Sequence, residues 1–241
     1  GRIILMSWSG AWRSTEWPRV PHFGLKVDNK YIIHYHASKN SNKKFKNGSL
    51  YLIDSGGQYR LGTTDITRTI AIGEPSEEMK HNFTLVLKGH INLALQSFDK
   101  STSGADLDRV ARSFLKKENK DYAHGTGHGV GFFLNVHEGP QSISKHNSIK
   151  LTKGIILSNE PVFYKKGHFG IRIENLVYVK KLKKKLLFDN FTLAPIEKDL
   201  INYKLLNKTE KDYLFRYHLK IYSEYSSSLN KNERRWLASL I

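Results

Sequence analysis

The sequence contains no cysteine. Disulfides, thiolate metal sites and cysteine nucleophiles are therefore excluded, and any metal must be held by nitrogen and oxygen ligands. There is also no apolar run long enough to span a membrane. Residues 3–6, although preceded by Arg2, are too short for the core of a signal peptide. The expectation is a soluble, cytoplasmic protein. Acidic residues are the scarcer charge, with 22 Asp and Glu against 39 Lys and Arg and a formal net charge of +17. That excess invites a nucleic-acid partner. Yet 28 of the basic residues are lysine and 11 arginine, and they are scattered or gathered at turns such as residues 180–185. Modules that read nucleic acid rely on arginine forks and aromatic platforms, and no such motif is present. A solvated lysine surface is expected, with no nucleic-acid and no membrane partner.

With 39% hydrophobic residues in 241, the chain can bury a sizeable core as one larger domain or two small ones. It is organised around residues 122–141, YAHGTGHGVGFFLNVHEGPQ, where His124, His128 and His137 stand among glycines. Gly125, Gly127, Gly129 and Gly131 argue against a helix and suit an extended segment that another backbone or a ligand approaches closely. In an extended chain His124, Thr126 and His128 project to one side, so both imidazoles can face one pocket.

Carboxylates recur at the ends of apolar strands. Leu50-Tyr51-Leu52-Ile53-Asp54 reads as a buried strand ending on Asp54, which is costly unless paired or metal-bound. Asp65, in GTTDITRT, falls on the second strand of a hairpin that sets it across from Asp54. Two facing carboxylates repel, and an intervening cation resolves the conflict. The alternative is a surface pair of Asp65 with Arg68 and a capping role for Asp54. Residues 155–161, IILSNEP, give a third strand ending on Glu160. Residues 170–175, GIRIEN, give a fourth, with Arg172 and Glu174 on one face and Ile171 and Ile173 on the other. Asp54, Asp65, His128, Glu160 and Glu174 thus come from separate strands. Four carboxylates and one imidazole are what two divalent ions with shared ligands require.

Two helices are expected between these strands. One starts at Pro75-Ser76-Glu77-Glu78 and carries Phe83, Leu87, Ile91, Ala94 and Phe98. The other follows Ser103-Gly104 and carries Leu107, Val110, Ala111, Phe114 and Leu115. Both stripes are core. Near the end, Thr209 with Glu210 and Asp212 reads as a helix start, and Tyr213, Leu214, Tyr217 and Ile221 as its apolar stripe. Residues 31–36, YIIHYH, read as a strand carrying His34, whereas residues 1–23 form neither a clear helix nor a clear strand.

Taken together, LIDSGGQY, GTTDITRT, HGTGHGVG, NVHEGPQ, SNEPVFY and GIRIENLV resemble the Xaa-Pro aminopeptidases of the creatinase, or pita-bread, family, in that family's order from about Asn29 onward. The resemblance implies an α+β fold in which a curved antiparallel sheet is covered by helices, plus a C-terminal helical extension. It implies a dinuclear site, usually Mn(II) with Zn(II) or Co(II) as alternatives, held by Asp54, Asp65, His128, Glu160 and Glu174. His34, His124 and His137 would line the substrate pocket. Glu160 would act as general acid and base, His124 and His137 would stabilise the oxyanion, and Arg172 would orient a ligand carboxylate. The implied substrates are peptides with proline at the second position. The division expected is 1–28 unassigned, 29–186 catalytic and 187–241 extension. The extension resembles that of the long, three-domain members, where it contributes to a homodimer. The further N-terminal domains of those members are not recognisable, so the front of the fold is expected to be incomplete. The rival readings are another activity of the same fold, such as prolidase, and an impaired fragment serving as a binding module.

Overall fold

In the computed structural model, residues 45–59, 61–131 and 135–241 are described in full and residues 23–26 as backbone. The expected strand at 31–36, with His34, lies outside the described residues, as does the Trp-rich stretch 1–22.

Three strands form the first sheet. β1 (Phe23–Lys26) pairs with β2 (Ser49–Tyr59), and β2 pairs with β3 (Gly62–Ile72), all antiparallel. β2 does not end at Asp54 but runs five residues past it, because Ser55-Gly56-Gly57 continue the ladder against Ile66, Asp65 and Thr64. The register pairs Asp54 with Thr67 and Gly56 with Asp65. Asp54 and Asp65 are therefore diagonal neighbours on one face, not directly opposite. The reason is the length of the hairpin, whose register is set from Tyr59↔Gly62. Alternation makes Leu50, Leu52 and Asp54 share that face, with Ala71, Thr69 and Thr67 opposite them. One surface thus passes from a fully buried apolar end to a carboxylate end.

The apolar end is covered by α1 (Glu77–Ala94). Its start is set by Ser76, whose side chain accepts from the Met79 N–H, with Glu77 and Glu78 in the first turn. Phe83, Val86, Leu87 and Ile91 are its fully buried face. Phe98 falls beyond the helix, in β4 (Ser97–Phe98). α2 (Gly104–Lys116) opens with a capping box between Ser103 and Asp106. It lies close on α1, since a Cβ on Gly89 would meet the Ala111 carbonyl oxygen at 2.3 Å.

After the short pair β5 (Gly127–His128) and β6 (Ser142–Ile143) comes β7 (Ile156–Asn159), followed by the hairpin of β8 (Val162–Lys165) and β9 (Phe169–Arg172). β10 (Asn175–Leu182) and β11 (Lys185–Asn190) complete a four-stranded antiparallel sheet in the order β4, β11, β10, β7. The single strand expected over 170–175 is thus two strands, with Ile173 and Glu174 in the joint between them. In β10 and β7, Asn175 pairs with Asn159. Glu160 leaves one strand of that pair where Glu174 enters the other, so the antiparallel register brings them together.

The chain ends in α3 (Lys208–Tyr225) and α4 (Lys231–Ala238). α3 is capped by Asn207 in a capping box with Glu210, two residues earlier than the Thr209 start expected. The Asn207 carboxamide oxygen accepts the Glu210 N–H and so outcompetes Thr209 as cap. Leu214, Tyr217 and Ile221 are its buried stripe and join the same core cluster as Leu50, Leu52, Phe83 and Ile171. Lys88 of α1 pairs with Glu210 at 2.7 Å, both side chains largely shielded, and so ties the start of α3 to the first helix.

His218 on α3 is buried and accepts the Ile196 N–H on Nε2. Burial, with Arg68 adding to it, pushes its imidazole down from 6.5 to about 4. The unfolded imidazole takes its proton near pH 6.5 and the folded one only near pH 4, so the unfolded state holds more protons in that window. Stability therefore falls as pH drops from about 6.5 toward 4 and levels off below. Between pH 7 and pH 5 this residue alone is expected to cost ~2 kcal/mol of unfolding free energy. Urea titrations at the two pH values, on the parent chain and on His218→Gln, isolate the effect. An identical pH dependence in both would remove His218 as its source.

Candidate metal centre

The segment between α2 and β7 is not extended throughout. It bends at Ala123–His124 and at Thr126, and only Gly127–His128 is strand. Thr126 consequently does not share a pocket with the imidazoles. Its hydroxyl lies 2.5 Å from Tyr122 Oη and donates to Asp108 Oδ1 at 2.7 Å, fully buried. The glycine at 127 is required by packing, because a Cβ there would meet the Ser158 carbonyl oxygen at 1.9 Å. This close approach holds His128 beside Glu160. The His128 N–H donates to Ser158 Oγ at 2.9 Å, and that hydroxyl donates to Glu160 Oε1 at 3.0 Å.

The imidazole of His128 is oriented by its own backbone neighbour. A carbonyl oxygen can only accept, so Nδ1, 2.9 Å from the Gly129 oxygen, carries the hydrogen. Nε2 then faces Asp65 Oδ2 and Glu160 Oε1, each at 3.4 Å. Asp65, His128 and Glu174 each offer a ligand atom, and these atoms lie within 4.8 Å of one another. Asp54 and Glu160 belong to the same electrostatic cluster, since Asp54 senses Asp65 and His128, and Glu160 senses Asp65 and His128. The structure thus brings together Asp54, Asp65, His128, Glu160 and Glu174.

The electrostatics of this cluster are those of a site short of positive charge. Burial pushes Glu174 well above the usual carboxylate range, and Asp65, Glu160 and Asp54 push it further. Burial lifts Glu160 to about 7, against the pull of Arg172 and His128. It lifts Asp54 as well, although Arg172 opposes it. For His128 burial works against the charged form, but the Asp65 hydrogen bond and the Glu160 charge outweigh it and raise the imidazole. A neutral Nε2 lone pair aimed at carboxylate oxygens is unfavourable unless a proton or a cation lies between them. All the donors are nitrogen and oxygen, and hard carboxylates dominate. The residues present therefore fit divalent cations.

The supporting groups are as informative as the cluster. Arg172 donates from Nε to Thr67 Oγ1 at 2.9 Å and from Nη1 to Tyr164 Oη at 2.9 Å, and Nη2 bonds Asp54 Oδ2. The Thr67 hydroxyl in turn donates to Glu174 Oε2 at 2.6 Å. Thr67, Ser158 and Tyr164 were not singled out in the sequence. Thr67 carried a usable signal, being two residues beyond Asp65 on a strand and hence on the same face. Arg68 is no surface partner of Asp65: it is buried and bonds carbonyls elsewhere.

The remaining histidines fall at the rim. The His137 ring lies 4.2 Å from that of His128, edge-on, and is exposed. His124 lies near the Tyr122 and Tyr164 rings, at 5.6 and 5.9 Å. Its Nδ1 bonds the Gly125 oxygen at 2.7 Å, and burial lowers its pKa. A neutral ring with hydrogen on Nδ1 leaves Nε2 as an acceptor. That geometry disfavours the oxyanion-donor role expected for His124 and suits acceptance of a substrate N–H.

A hairpin and a second antiparallel sheet, joined by a glycine-rich histidine segment and covered by helices, with five metal-type ligands at their meeting point, define a class of protein. The chain belongs to the group described as metallopeptidase family M24, whose pattern matches residues 21–181, and residues 184–240 match the C-terminal region of that peptidase. Its relatives narrow the comparison. A protein named "Probable Xaa-Pro aminopeptidase P" from Botryotinia fuckeliana is 46% identical over 207 residues, covering 81% of this chain and 32% of that protein. The X-prolyl aminopeptidase structure from Caenorhabditis elegans, described as a cytosolic enzyme with a di-nuclear active site, has a TM-score of 0.85 at 37% identity. The match covers 91% of this chain and 38% of that one. A prolidase from Thermococcus sibiricus gives 0.63 at 29% identity, over 73% of this chain and 46% of that one. The chain thus spans about a third of the length of the curated relatives it matches. The α+β pita-bread fold expected from the sequence is the fold of these structures. Among the described residues, no helix is long and apolar enough to cross a membrane.

Proposed function

We propose that this chain carries the catalytic region of a metal-dependent peptidase that removes an N-terminal residue preceding proline. The observation that carries the reading is the buried convergence of Asp65, His128 and Glu174, with Asp54 and Glu160 in the same field. Asp54, Asp65, His128, Glu160 and Glu174 would hold two divalent ions, Mn(II) in the first instance and Zn(II) or Co(II) as alternatives. When bound, such ions polarise the scissile carbonyl and make water acidic enough to attack at neutral pH.

The chain's own residues supply the rest. Glu160, near 7 and fixed by Ser158, takes the proton of the attacking water and returns it to the proline nitrogen as the C–N bond breaks. That return is needed because an amide nitrogen leaves as a neutral amine only once it has gained a proton. His137, beside His128, donates to the carbonyl oxygen as negative charge develops. His124 Nε2 accepts a substrate N–H, and His34, outside the described residues, completes the substrate-facing set. Arg172 holds Asp54 and Thr67, and Thr67 holds Glu174.

On the same reading residues 29–186 carry the chemistry and 187–241 form the extension, through which the chain pairs as a homodimer. The cytosolic Caenorhabditis elegans relative supports a cytoplasmic location. The test is the metal content of purified protein together with its action on a tripeptide beginning Xaa-Pro, an Xaa-Pro dipeptide and a Met-Gly peptide. Preference for the tripeptide supports the proposal, and preference for the dipeptide would replace it with prolidase. His128→Ala is expected to lose bound metal, whereas His137→Ala keeps it and slows turnover by roughly 10²-fold. Equal metal loss in the two variants would mean that ligand and oxyanion partner are misassigned.

A further inference from the structure

Arg68 stands immediately behind the centre. Its Nη1 donates to the Thr67 oxygen at 2.9 Å and to the Glu174 oxygen at 2.6 Å. Its Nη2 donates to Asn175 Oδ1 at 2.7 Å, to the Ala194 oxygen at 2.8 Å and to Tyr217 Oη at 3.2 Å, and its Nε to the Pro195 oxygen at 2.8 Å. One planar guanidinium therefore joins β3, the start of β10 with the joint before it, the first part of the extension and α3. Its rigid fork is suited to this, because all its donors are fixed in one plane.

Tyr217 is the member contributed by α3. Its hydroxyl accepts from Arg68 and from Asn175 Nδ2 at 3.2 Å, and donates toward the Ala194 or Thr192 oxygen at 3.0 and 3.1 Å. The ring is buried with Leu214 and Ile221. On the opposite side of Arg68, the Glu174 N–H donates to the Thr67 oxygen at 3.1 Å, and the Thr67 hydroxyl holds Glu174 Oε2. Both the main chain and the carboxylate of Glu174 are thus referred to Thr67, and Thr67 and Glu174 are both gripped by Arg68.

We infer that Tyr217, acting through Arg68, is a positioning residue that sets the Glu174 carboxylate, so that the C-terminal extension tunes the metal centre from behind. The inference rests on the ligand role given to Glu174 above. A hydroxyl is a suitable element because it can accept from two donors while giving its own hydrogen to a carbonyl, so its removal unbalances several bonds at once. Groups outside a ligand set change metal affinity or activity by about 10- to 100-fold when altered.

The test compares Tyr217→Phe, which keeps the ring, with Ile221→Val, an apolar trim on the same helix. In Tyr217→Phe, Mn(II) affinity measured calorimetrically is expected to fall by about tenfold or more. The kcat for an Xaa-Pro tripeptide should fall by a similar factor with KM little changed. Amide exchange over residues 172–176 should quicken in Tyr217→Phe and not in Ile221→Val. Equal exchange and equal Mn(II) affinity in the two variants would overturn the inference and leave Tyr217 a packing residue. Failure of the unsubstituted chain to take up Mn(II), Zn(II) or Co(II) would overturn the functional reading instead, and exchange at 172–176 would then decide the positioning role by itself.

Discussion

Glu160→Gln is expected to reduce turnover of an Xaa-Pro peptide by at least about 10²- to 10⁴-fold, the range lost with a general acid–base group. The substitution is nearly isosteric and keeps an oxygen to accept from Ser158 Oγ, so the local hydrogen bonds to β7 survive. What it removes is a negative charge and a proton-carrying site. A carboxyl exists in protonated and ionised forms, and without a cation beside it burial shifts Glu160 toward the protonated one. An amide has neither form, so the proton of the attacking water has no acceptor and the proline nitrogen no donor. The fold should tolerate the change, because burial disfavours the Glu160 charge more than Arg172 and His128 favour it. A urea midpoint equal to or above that of the parent is the accompanying expectation. Near-full turnover by the metal-loaded variant would sink the role given to Glu160.

Much of the centre was legible because strands advertise themselves locally. Asp54, Glu160 and Glu174 each follow an apolar or alternating run, Asp65 stands on the return strand of a hairpin, and His128 sits in a glycine pattern suited to close backbone contact. The register was less legible. Asp54 faces Thr67 and Asp65 faces Gly56, a stagger that depends on the whole length of the β2–β3 hairpin. The break of the expected fourth strand at Ile173–Glu174 was hidden for a similar reason. Its cause is tertiary: the Glu174 N–H is taken by the Thr67 oxygen of β3 rather than by a neighbour in its own sheet. Thr67 acts through bonds to residues more than a hundred positions away. Ser158 links His128 to its near neighbour Glu160, and Tyr164 meets Arg172 across the β8–β9 hairpin. No local pattern reports these partners. The same holds for Arg68 and Tyr217, which are separated by most of the chain yet bonded.

Arg112→Ala is expected to destabilise the fold by about 3–5 kcal/mol, the cost of stranding one partner of a buried ion pair. Arg112 Nε donates to Asp108 Oδ2 at 2.6 Å, one turn earlier on α2, and their side chains are 3% and 1% exposed. The guanidinium also donates to Asp121 Oδ1 and the Tyr122 oxygen, both at 2.7 Å, and to the His124 oxygen at 2.5 Å. It lies 3.7 Å from the centroid of the Tyr122 ring. Removing it leaves the Asp108 charge with the Thr126 hydroxyl as its remaining described partner, and frees the carbonyls that shape the approach to His124. A double variant, Asp108→Leu with Arg112→Met, separates the two consequences. Apolar replacement of a whole buried pair is often neutral, so the part of the loss that comes from the stranded Asp108 charge should return. Placement of His124 should not return, because neither new side chain can bond the 122–124 carbonyls or the Thr126 hydroxyl. The double variant is therefore expected to unfold at higher urea than Arg112→Ala yet to keep a depressed kcat/KM on an Xaa-Pro tripeptide. A single variant that loses less than about 1 kcal/mol would show that Asp108 finds water or a proton once Arg112 is gone. Full activity in the double variant would show that the clamp on residues 122–124 serves the fold and not the histidine it holds.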